Sequence, residues 1–327
     1  MQRNWLRPEH LRDLHVDACR HPRGQAHLSA ASGLVQVDSH LFVVADDELH
    51  LGRIDAIDLK NSSGHQITPV DLYRLFDGNL PIDKDQRKKV KPDLETLALL
   101  PRLPGCPFGA LLTLGSGSKP SRQTGVLLAL DKTGEPIGPV AHIDLTQLYC
   151  PLRTVFPDLN IEGAFVSGGE LLLLQRGNKG DPRNACIRYD WNKIAPWLAE
   201  KAAAPARPKG IGEIQLGEID RVPLGLTDGA PLADGAWAFC AVAENTANSF
   251  QDGACVGSAV GMVNAQGQLL NVWWLEGAPK VEGIAVVPFS AGISSEIPSA
   301  ISLNLVTDAD DPALASQLLR VRLPTVL

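Results

Sequence analysis

Residues 158–177 read DLNIEGAFVSGGELLLLQRG, in which two apolar runs flank a Ser-Gly-Gly turn. This arrangement predicts a β-hairpin, because glycine-rich turns between apolar runs connect antiparallel strands. A carboxylate, Glu162, lies near the start of the first strand, and a cation, Arg176, follows the second. A single hairpin says little about the fold, whereas a repeated one indicates a repeat architecture.

The hairpin pattern occurs in four further segments of the chain. These read ASGLVQVDSHLFVVADD (31–47), DLETLALLPRLPGCPFGALLTLGS (93–116), LTDGAPLADGAWAFCAVAE (226–244) and KVEGIAVVPFSAGISSEIPSAISLNLVTD (280–308). In each, a small polar or acidic residue precedes an apolar run, a turn or loop, and a second β-rich run. Aligned on that residue, the five copies place Ser32, Glu95, Glu162, Asp228 and Glu282 at spacings of 63, 67, 66 and 54 residues.

Further β-like runs after each hairpin predict four strands per repeat, as in a propeller blade. The last repeat ends after its third strand, and residues 11–18 (LRDLHVDA) are expected to supply the fourth and close the ring. The prediction is an all-β, five-bladed β-propeller over residues 1–327 as a single domain. Six blades are the alternative if residues 48–95 or 282–327 contain another sheet. Residues 191–204 are the one predicted helix, a surface insertion, and 85–91 (DQRKKVK) are expected to form a solvated loop.

Composition and charge exclude several classes of function. The chain is 44% hydrophobic and 20% charged, as in ordinary globular proteins. Its net charge of −7 has the wrong sign for a protein that must neutralise nucleic-acid phosphates. The sequence shows no membrane-length apolar run and no export signal, so we expect a cytoplasmic protein without nucleic-acid or membrane partners. It also contains no HExxH, GxSxG, GxGxxG or CxxC motif.

Acidic residues recur at the starts of the predicted first strands. In a propeller these strands line the central channel, and their equivalent ends meet at one face. Glu95, Glu162, Asp228 and Glu282, with Ser32 as the fifth member, are therefore expected to converge. Converging like charges need a bridging cation, neighbouring Arg or Lys, or water to offset their repulsion. Oxygen ligands favour a divalent metal, Ca²⁺ in particular; a structural role, in which the acids bond neighbouring strands, is the alternative.

The loops after the predicted second strands reach the same face of the propeller. They carry further acids and polar residues, namely Asp46, Asp47, Glu244 and Asn245, together with the cations Lys119, Arg122, Arg176 and Lys179. We expect Lys119, Arg176 and Asn245 to bind a small anionic substrate, and Asp46 and Glu244 to join the metal ligands. Arg176 could equally form a salt bridge with Glu162 across its own hairpin.

The motifs SGL…FVVADD near the N-terminus, IEGA (161–164) and VEGIA (281–285) resemble a known family of bacterial propellers. This is the "esterase-like activity of phytase" family. More loosely, the chain is similar to the calcium-dependent lactonase propellers of the regucalcin type, in which a Glu-Gly at a blade's first strand supplies a metal ligand. The resemblance implies that Glu162 or Glu282 is a metal ligand, with Asp46 or Asp47 and Glu244 nearby.

The resulting hypothesis is a metal-dependent hydrolase of a phosphate ester, a carboxylic ester or a lactone. A metal would polarise the scissile group and activate a water. The hypothesis assigns catalysis to Glu162, Glu282 and Arg176, and metal binding to Glu95, Glu162, Asp228, Glu282, Asp46 and Glu244. The rival hypothesis is a non-catalytic propeller that binds a protein or small-molecule partner, since no known catalytic motif is present.

Overall fold

Five antiparallel sheets surround a central channel in the computed structural model, which describes residues 4–56, 68–247, 253–288 and 300–324. Each sheet supplies one inner strand to the channel, and every inner strand contacts those of the two neighbouring sheets. This arrangement confirms the predicted five-bladed β-propeller. The described residues contain no sixth blade.

Two short strands, β1 (Trp5–Leu6) and β2 (Glu9–Asp13), precede the first blade. From the channel outward, blade 1 consists of β3 (Ala31–Val37), β4 (His40–Ala45), β5 (His50–Asp55) and β6 (Asp71–Arg74). Blade 2 consists of β7 (Leu94–Leu100), β8 (Ala110–Gly115), β9 (Thr124–Ala129) and β10 (Ala141–Asp144). Blade 3 consists of β11 (Ile161–Ser167), β12 (Glu170–Gln175), β13 (Asn184–Asp190) and β14 (Gly210–Ile214).

Blades 4 and 5 contain the remaining strands. Blade 4 consists of β16 (Val222–Pro231), β17 (Trp237–Glu244), β18 (Cys255–Val263) and β19 (Leu269–Leu275), and β15 (Glu218–Ile219) pairs with the start of β16. Blade 5 consists of β20 (Val281–Val286), β21 (Ala300–Thr307) and β22 (Gln317–Pro324). Its fourth strand is β2, from the other end of the chain.

Pairing of β2 with β22 closes the ring. The two strands are antiparallel, with Glu9 opposite Arg320 and Asp13 opposite Gln317. The closing strand begins two residues before the predicted segment 11–18 and ends at Asp13. In addition, β1 pairs in parallel with β19, so the N-terminal segment contacts blades 4 and 5 together. Closure by the two ends of the chain covers a sheet edge that would otherwise be open to pairing with other molecules.

The core lies largely between the blades. Five apolar clusters fill the five spaces between neighbouring sheets. Phe165 of blade 3, for example, packs against Trp237 of blade 4 with ring centroids 5.4 Å apart. Because the sheets are covered on both sides, strands such as β12 and β17 are buried along their whole length. This two-sided burial explains the near-continuous apolar runs of the hairpin repeats.

Three α-helices lie between strands: α1 (Lys84–Val90), α2 (Thr146–Arg153) and α3 (Trp191–Leu198). The predicted helix at 191–204 is present as the shorter α3, which packs on the core through Ile194 and Trp197. The predicted solvated loop at 85–91 is wrong. Among the described residues, these helices and the shorter turns lack the length and apolar character that a membrane-crossing helix requires.

Helix α1 forms because its first turn is capped and its central arginine is buried. The side chain of Asp83 accepts a hydrogen bond from Gln86 N at 2.8 Å, which satisfies a backbone donor at the helix start. Arg87 donates to Asp47 Oδ2 at 2.9 Å and to the carbonyl oxygen of Ile82 at 2.7 Å. One cation of the basic run, Arg87, therefore pairs with an acid of blade 1, Asp47.

Removing residues 1–13 should destabilise the ring much more than removing residues 1–8. The longer truncation deletes β2, with the buried side chains of Leu11 and Arg12, whereas the shorter one deletes only β1. Loss of the buried leucine alone should lower the free energy of unfolding by about 2 kcal/mol. Thermal unfolding followed by circular dichroism measures this difference. Size-exclusion chromatography should show self-association of the longer truncation through the exposed edge of β22; equal behaviour of the two truncations would contradict the closure.

Candidate functional site

Every inner strand contains a β-bulge, which lies near the strand's start in four blades and in the middle of the longer β16. The pairing register shifts by one residue between Ala31 and Gly33, Leu94 and Thr96, Ile161 and Gly163, Leu226 and Asp228, and Val281 and Gly283. The residues left out of the ladder are Ser32, Glu95, Glu162, Thr227 and Glu282. Because a bulge re-aims the side chain of its extra residue, four of these five residues (Ser32, Glu95, Glu162 and Glu282) line one cavity at the channel mouth.

Thr227, and not Asp228, is therefore the equivalent position in blade 4. In blade 4 the alignment of the repeats is wrong by one residue. It selects Asp228, because LTDG contains an acid directly after the bulge residue. Thr227 Oγ1 donates to Val281 O at 2.8 Å, as Ser32 Oγ donates to Leu94 O at 2.6 Å. Each hydroxyl thus bonds the carbonyl that precedes the bulge glutamate of the next blade.

Asp228 is fully buried and lies outside the lining of the mouth cavity. Its Oδ1 accepts from Gly229 N at 2.7 Å, and its Oδ2 accepts from Ile284 N at 3.0 Å. Burial raises the pKa of this carboxyl well above its ordinary value, although these backbone hydrogen bonds lower it. Contrary to the prediction, Asp228 is positioned to join inner strands and not to bind a metal at the mouth.

The glycine after the bulge lets neighbouring inner strands approach closely. A Cβ added to Gly33 would lie 2.7 Å from Leu97 N, and one added to Gly283 would lie 3.0 Å from Leu34 N. At 2.7 Å, a Cβ on Gly33 would clash with the backbone of blade 2, and at 3.0 Å one on Gly283 would need blade 1 to shift by a few tenths of an ångström. In IEGA, a Cβ added to Gly163 would likewise lie 3.1 Å from Asp228 Cα. The Glu-Gly pairs of IEGA and VEGIA therefore have a structural reason for the glycine, while the glutamate remains available to the cavity.

The mouth cavity has a volume of about 90 Å³ and is lined mainly by charged side chains. It contains eight carboxylates, those of Asp46, Asp93, Glu95, Glu162, Glu244, Glu282, Asp308 and Asp310. It contains five cations, those of Lys88, Lys91, Arg122, Arg176 and Lys280. If every group were ionised, the lining would carry three more negative than positive charges.

Arg176 lies among three of these carboxylates, each from a different blade. Its Nη1 is 3.3 Å from Glu162 Oε2 and 3.5 Å from Glu282 Oε2, and its Nη2 is 2.6 Å from Glu244 Oε2. The predicted salt bridge to Glu162 is thus present. One guanidinium holds blades 3, 4 and 5 together at the mouth.

Lys280 completes this side of the mouth. Its Nζ is 2.6 Å from Asp310 Oδ1 and 3.5 Å from Glu282 Oε1. At 3.5 Å this second contact is an ion pair without a hydrogen bond, and Glu282 Oε1 is buried with no hydrogen-bond partner among the described residues.

A second group of charges lies across the mouth, between blades 1 and 2. Lys91 Nζ donates to Asp46 Oδ2 and is 3.2 Å from Asp93 Oδ1, and Arg122 Nη1 is 2.7 Å from Asp93 Oδ2. Carboxylate oxygens of Asp46, Asp93 and Glu95 all lie within 4.8 Å of one another. In the described part of the chain, neither a hydrogen bond nor an ion pair engages the carboxylate of Glu95.

Crowding of acids in this buried setting raises several pKa values. Burial raises the pKa of Glu162 to about 7, against the nearby charge of Arg176, and Glu282 raises it further. Burial also raises the pKa of Asp46 to about 6, against the charge of Lys91. The pKa of Glu95 is raised well above its usual range by burial and then by the charge of Glu162. Part of the surplus negative charge is therefore removed by protons near neutral pH.

The structure brings most of the predicted site residues together. Glu95, Glu162, Glu282, Asp46, Glu244 and Arg176 line the cavity, whereas Lys119, Asn245, Asp228 and Asp47 do not. Asn245 is exposed, and its Oδ1 accepts from Lys179 Nζ at 3.1 Å. In place of Lys119, the nearby Arg122 enters the site, because its side chain is buried against Asp93.

Three lining residues were missed although the repeat contains a signal for them. Asp93, Asn160 and Lys280 each stand two residues before a bulge glutamate, in DLE, NIE and KVE. Alternate residues of a strand share a face, and all three side chains line the same cavity as the glutamates. A polar residue, an apolar residue and a glutamate in succession is therefore a better signature of the site than the glutamate alone. Lys91 has no such signal, since it lies in the connection after α1.

A five-bladed propeller with a charged channel mouth is the class that this fold and site define. The chain belongs to a family of unknown function, DUF6929, whose model matches residues 27–323. A search by sequence among curated proteins finds no match. The five-bladed topology agrees with the propeller part of the resemblance drawn from the sequence, and the family match does not confirm the phytase-like family.

Solved structures of similar architecture come from several kinds of protein. One is a glutaminyl cyclase from Myxococcus xanthus, 13% identical over all of both chains, with a TM-score of 0.49. Another is an α-L-arabinofuranosidase from Podospora anserina in complex with cellotriose, 10% identical over 98% of this chain and 96% of that chain, with a TM-score of 0.49. A third is the PQQ-bound form of an aldose sugar dehydrogenase from Streptomyces coelicolor, 12% identical over 96% of this chain and 97% of that chain, with a TM-score of 0.45. Likenesses this distant do not indicate an activity.

Glu162→Gln should change how the stability of the protein depends on pH. The pKa of Glu162 rises from 4.5 to about 7 on folding, so the folded state binds the extra proton between these values. As pH rises through that window the wild type should lose up to about 3 kcal/mol of stability relative to the glutamine variant. Chemical denaturation of both proteins across the window measures the difference.

Glu170→Gln is the matched control for this measurement. Glu170 pairs with Lys209 at 2.6 Å, far from the mouth, and the net effect of its surroundings is a lowered pKa. The stability it contributes is lost only as pH falls through that lowered pKa, so its difference from wild type should stay flat in the window above. A flat profile for Glu162→Gln as well would show that the mouth carboxylate ionises normally.

Proposed function

We propose that the channel mouth is the active site of a metal-dependent hydrolase that acts on a small anionic phosphate ester, carboxylic ester or lactone. The main support for this proposal is the excess of acidic groups, since one cavity contains eight carboxylates and five cations. A purely structural network is expected to balance its charges, because a buried charge without a partner costs several kcal/mol. The surplus supports a site that takes up a further cation.

The acids between blades 1 and 2 suit a divalent cation. Oxygens of Asp46, Asp93 and Glu95 lie within 4.8 Å of one another, and carboxylate oxygens are the ligands that Ca²⁺ prefers. Lys91 and Arg122 pair with the two aspartates and leave Glu95 unengaged. When bound, such an ion would polarise the scissile carbonyl or phosphoryl group and lower the pKa of a water.

Glu162 is the best candidate for the general base. A carboxyl whose pKa is about 7 is half ionised at neutral pH, which suits proton transfer. Asn160 Nδ2 donates to its Oε1 and Arg176 Nη1 lies near its Oε2, so the carboxylate is held in one orientation. Its role would be to accept the proton of the attacking water. Glu282, with one buried oxygen free of hydrogen bonds, is the second candidate.

The cations of the lining support an anionic substrate. The guanidinium of Arg176 lies close to three carboxylates and also lines the cavity. Its positive charge therefore offsets part of the acidic charge and is also available to a ligand. Lys88 lines the opposite side of the same cavity. Asn178 and Thr246, in the loops after β12 and β17, add polar groups at the rim. These residues replace Lys119 and Asn245 as the proposed substrate contacts.

Glu95→Gln should weaken Ca²⁺ binding by about tenfold or more, because it removes the one carboxylate of the cluster that pairs with none of the described side chains. Calorimetric titration of chelator-treated protein with Ca²⁺, Mg²⁺ and Mn²⁺ measures the affinities. Glu276→Gln, at an exposed acid outside the cavity, is the control and should bind like wild type. Affinity should rise with pH through about 6 and about 7, as Asp46 and Glu162 lose their protons. The absence of binding at about 1 mM of each metal would refute the metal site.

The triple variant Glu95→Gln, Glu162→Gln, Glu282→Gln separates an enzyme from a scaffold. An aryl phosphate, an aryl acetate and a small lactone form the substrate panel, tested with the metal that binds. Hydrolysis of the accepted substrate should fall by about 10²-fold or more, with the thermal unfolding transition retained. Hydrolysis that survives in the triple variant would place the chemistry elsewhere. A wild type that turns over none of the three would favour the non-catalytic propeller, in which the same changes alter only stability.

A further inference from the structure

A second cavity, of about 770 Å³, lies at the other end of the channel. All five inner strands line it, with residues that follow their bulges, as in Leu34 of β3, Leu97 of β7 and Ile284 of β20. Since all inner strands start at the charged mouth, this cavity opens on the opposite face of the propeller. Its volume falls in the range of small-molecule sites.

The two cavities are separated by the layer of residues directly after the bulges. Gly33 and Gly283 bring neighbouring backbones into contact there. The buried carboxylate of Asp228 spans the same level by accepting from Ile284 N at 3.0 Å and from Gly229 N at 2.7 Å. No residue lines both cavities. The second cavity is therefore a compartment of its own and not a deep part of the mouth.

The lining of this cavity is apolar with one positive charge. Gln36 and Arg102 supply its polar side chains among the described residues, and the Gln36 amide donates to Asp38 O within its own hairpin. Two large apolar side chains of the lining are left in solvent, Leu99 at 38% and Phe108 at 55% exposure. Arg102 is exposed and has neither an ion pair nor a hydrogen bond among the described residues. Exposed apolar surface around a concave site is typical of ligand-binding sites.

We propose that this cavity binds a small amphiphilic acid, a molecule with an apolar chain or ring and one carboxylate. The apolar part would cover Leu99 and Phe108, and the carboxylate would pair with Arg102. Charge complementarity selects this class, because the described residues of the lining include one cation and no acid. A cationic amphiphile would therefore be disfavoured there, and a neutral one would leave Arg102 without a partner. The site is independent of the proposed hydrolase centre.

Titration of the full chain with octanoate and with octanol, followed by calorimetry, tests the proposal. Octanoate should bind saturably with one molecule per chain. Leu99→Asp should weaken it by about tenfold or more, because the new carboxylate lies against the apolar chain and repels the acid. Arg102→Gln should weaken octanoate by about two- to fivefold and leave octanol unchanged, since only the acid pairs with the guanidinium.

Two control variants make the same chemical changes away from the cavity. Leu270→Asp alters a leucine of β19 that is 46% exposed, and Arg207→Gln alters an exposed arginine. Both should bind octanoate like wild type, and circular dichroism should show that all four variants are folded. Non-saturable binding, equal losses in the control variants, or no octanoate binding at all would overturn the proposal.

Discussion

Repulsion among carboxylates at the channel mouth is the constraint on which this site depends. Backbone geometry brings the acids together: a bulge at the start of each inner strand aims one side chain at the axis, and glycines behind the bulge let the strands close up. Glu95, Glu162 and Glu282 cannot move apart without opening the ring. The charge must therefore be offset locally, which is what Arg176, Lys280 and Lys91 do in part.

The remaining charge can be removed by protons or by a cation, and the two compete. At Glu162, burial raises the pKa to about 7 against the charge of Arg176, and the nearby charge of Glu282 adds to the rise. Any ion that binds must release such protons, so cation affinity and pH are linked at this mouth. A pKa of about 7 means that Glu162 exchanges its proton near neutral pH, which is where this linkage would be strongest.

The repeat revealed the fold because blade strands are buried on both faces and separated by strong turn signals. The repeat DLNIEGAFVSGGELLLLQRG shows the pattern most clearly, because its bulge glutamate, the glycine that follows and the hairpin turn can all be identified in the sequence. Blade 4 was harder to align, because Thr227 replaces the bulge glutamate and an acid follows it. Whether Asp228 faces the mouth depends on the position of a one-residue bulge. Such a bulge cannot be detected from the composition or the hydrophobic periodicity of the sequence.

The charged network could be predicted only in part. Acids at strand starts converge by topology, so Glu95, Glu162 and Glu282 follow from the fold. Lys91 directly follows α1 and Arg122 lies in the turn after β8, and neither position is marked by the repeat. The run DQRKKVK shows no apolar periodicity to indicate a helix. Arg87 shows why: a helix that docks through a buried ion pair with Asp47 needs no apolar face.

The two ends of the channel differ in chemistry because the bulge changes what the inner strands present. Before and at the bulge, polar side chains point to the axis; after it, the strands resume the alternation of β-structure and show Leu34, Leu97 and Ile284 to the opposite end. Asp228 lies at the boundary, where its carboxylate accepts hydrogen bonds from Gly229 N and Ile284 N. The two cavities share no lining residue among those described, so the chemistry of one end of the channel can be altered by substitution without changing the lining of the other.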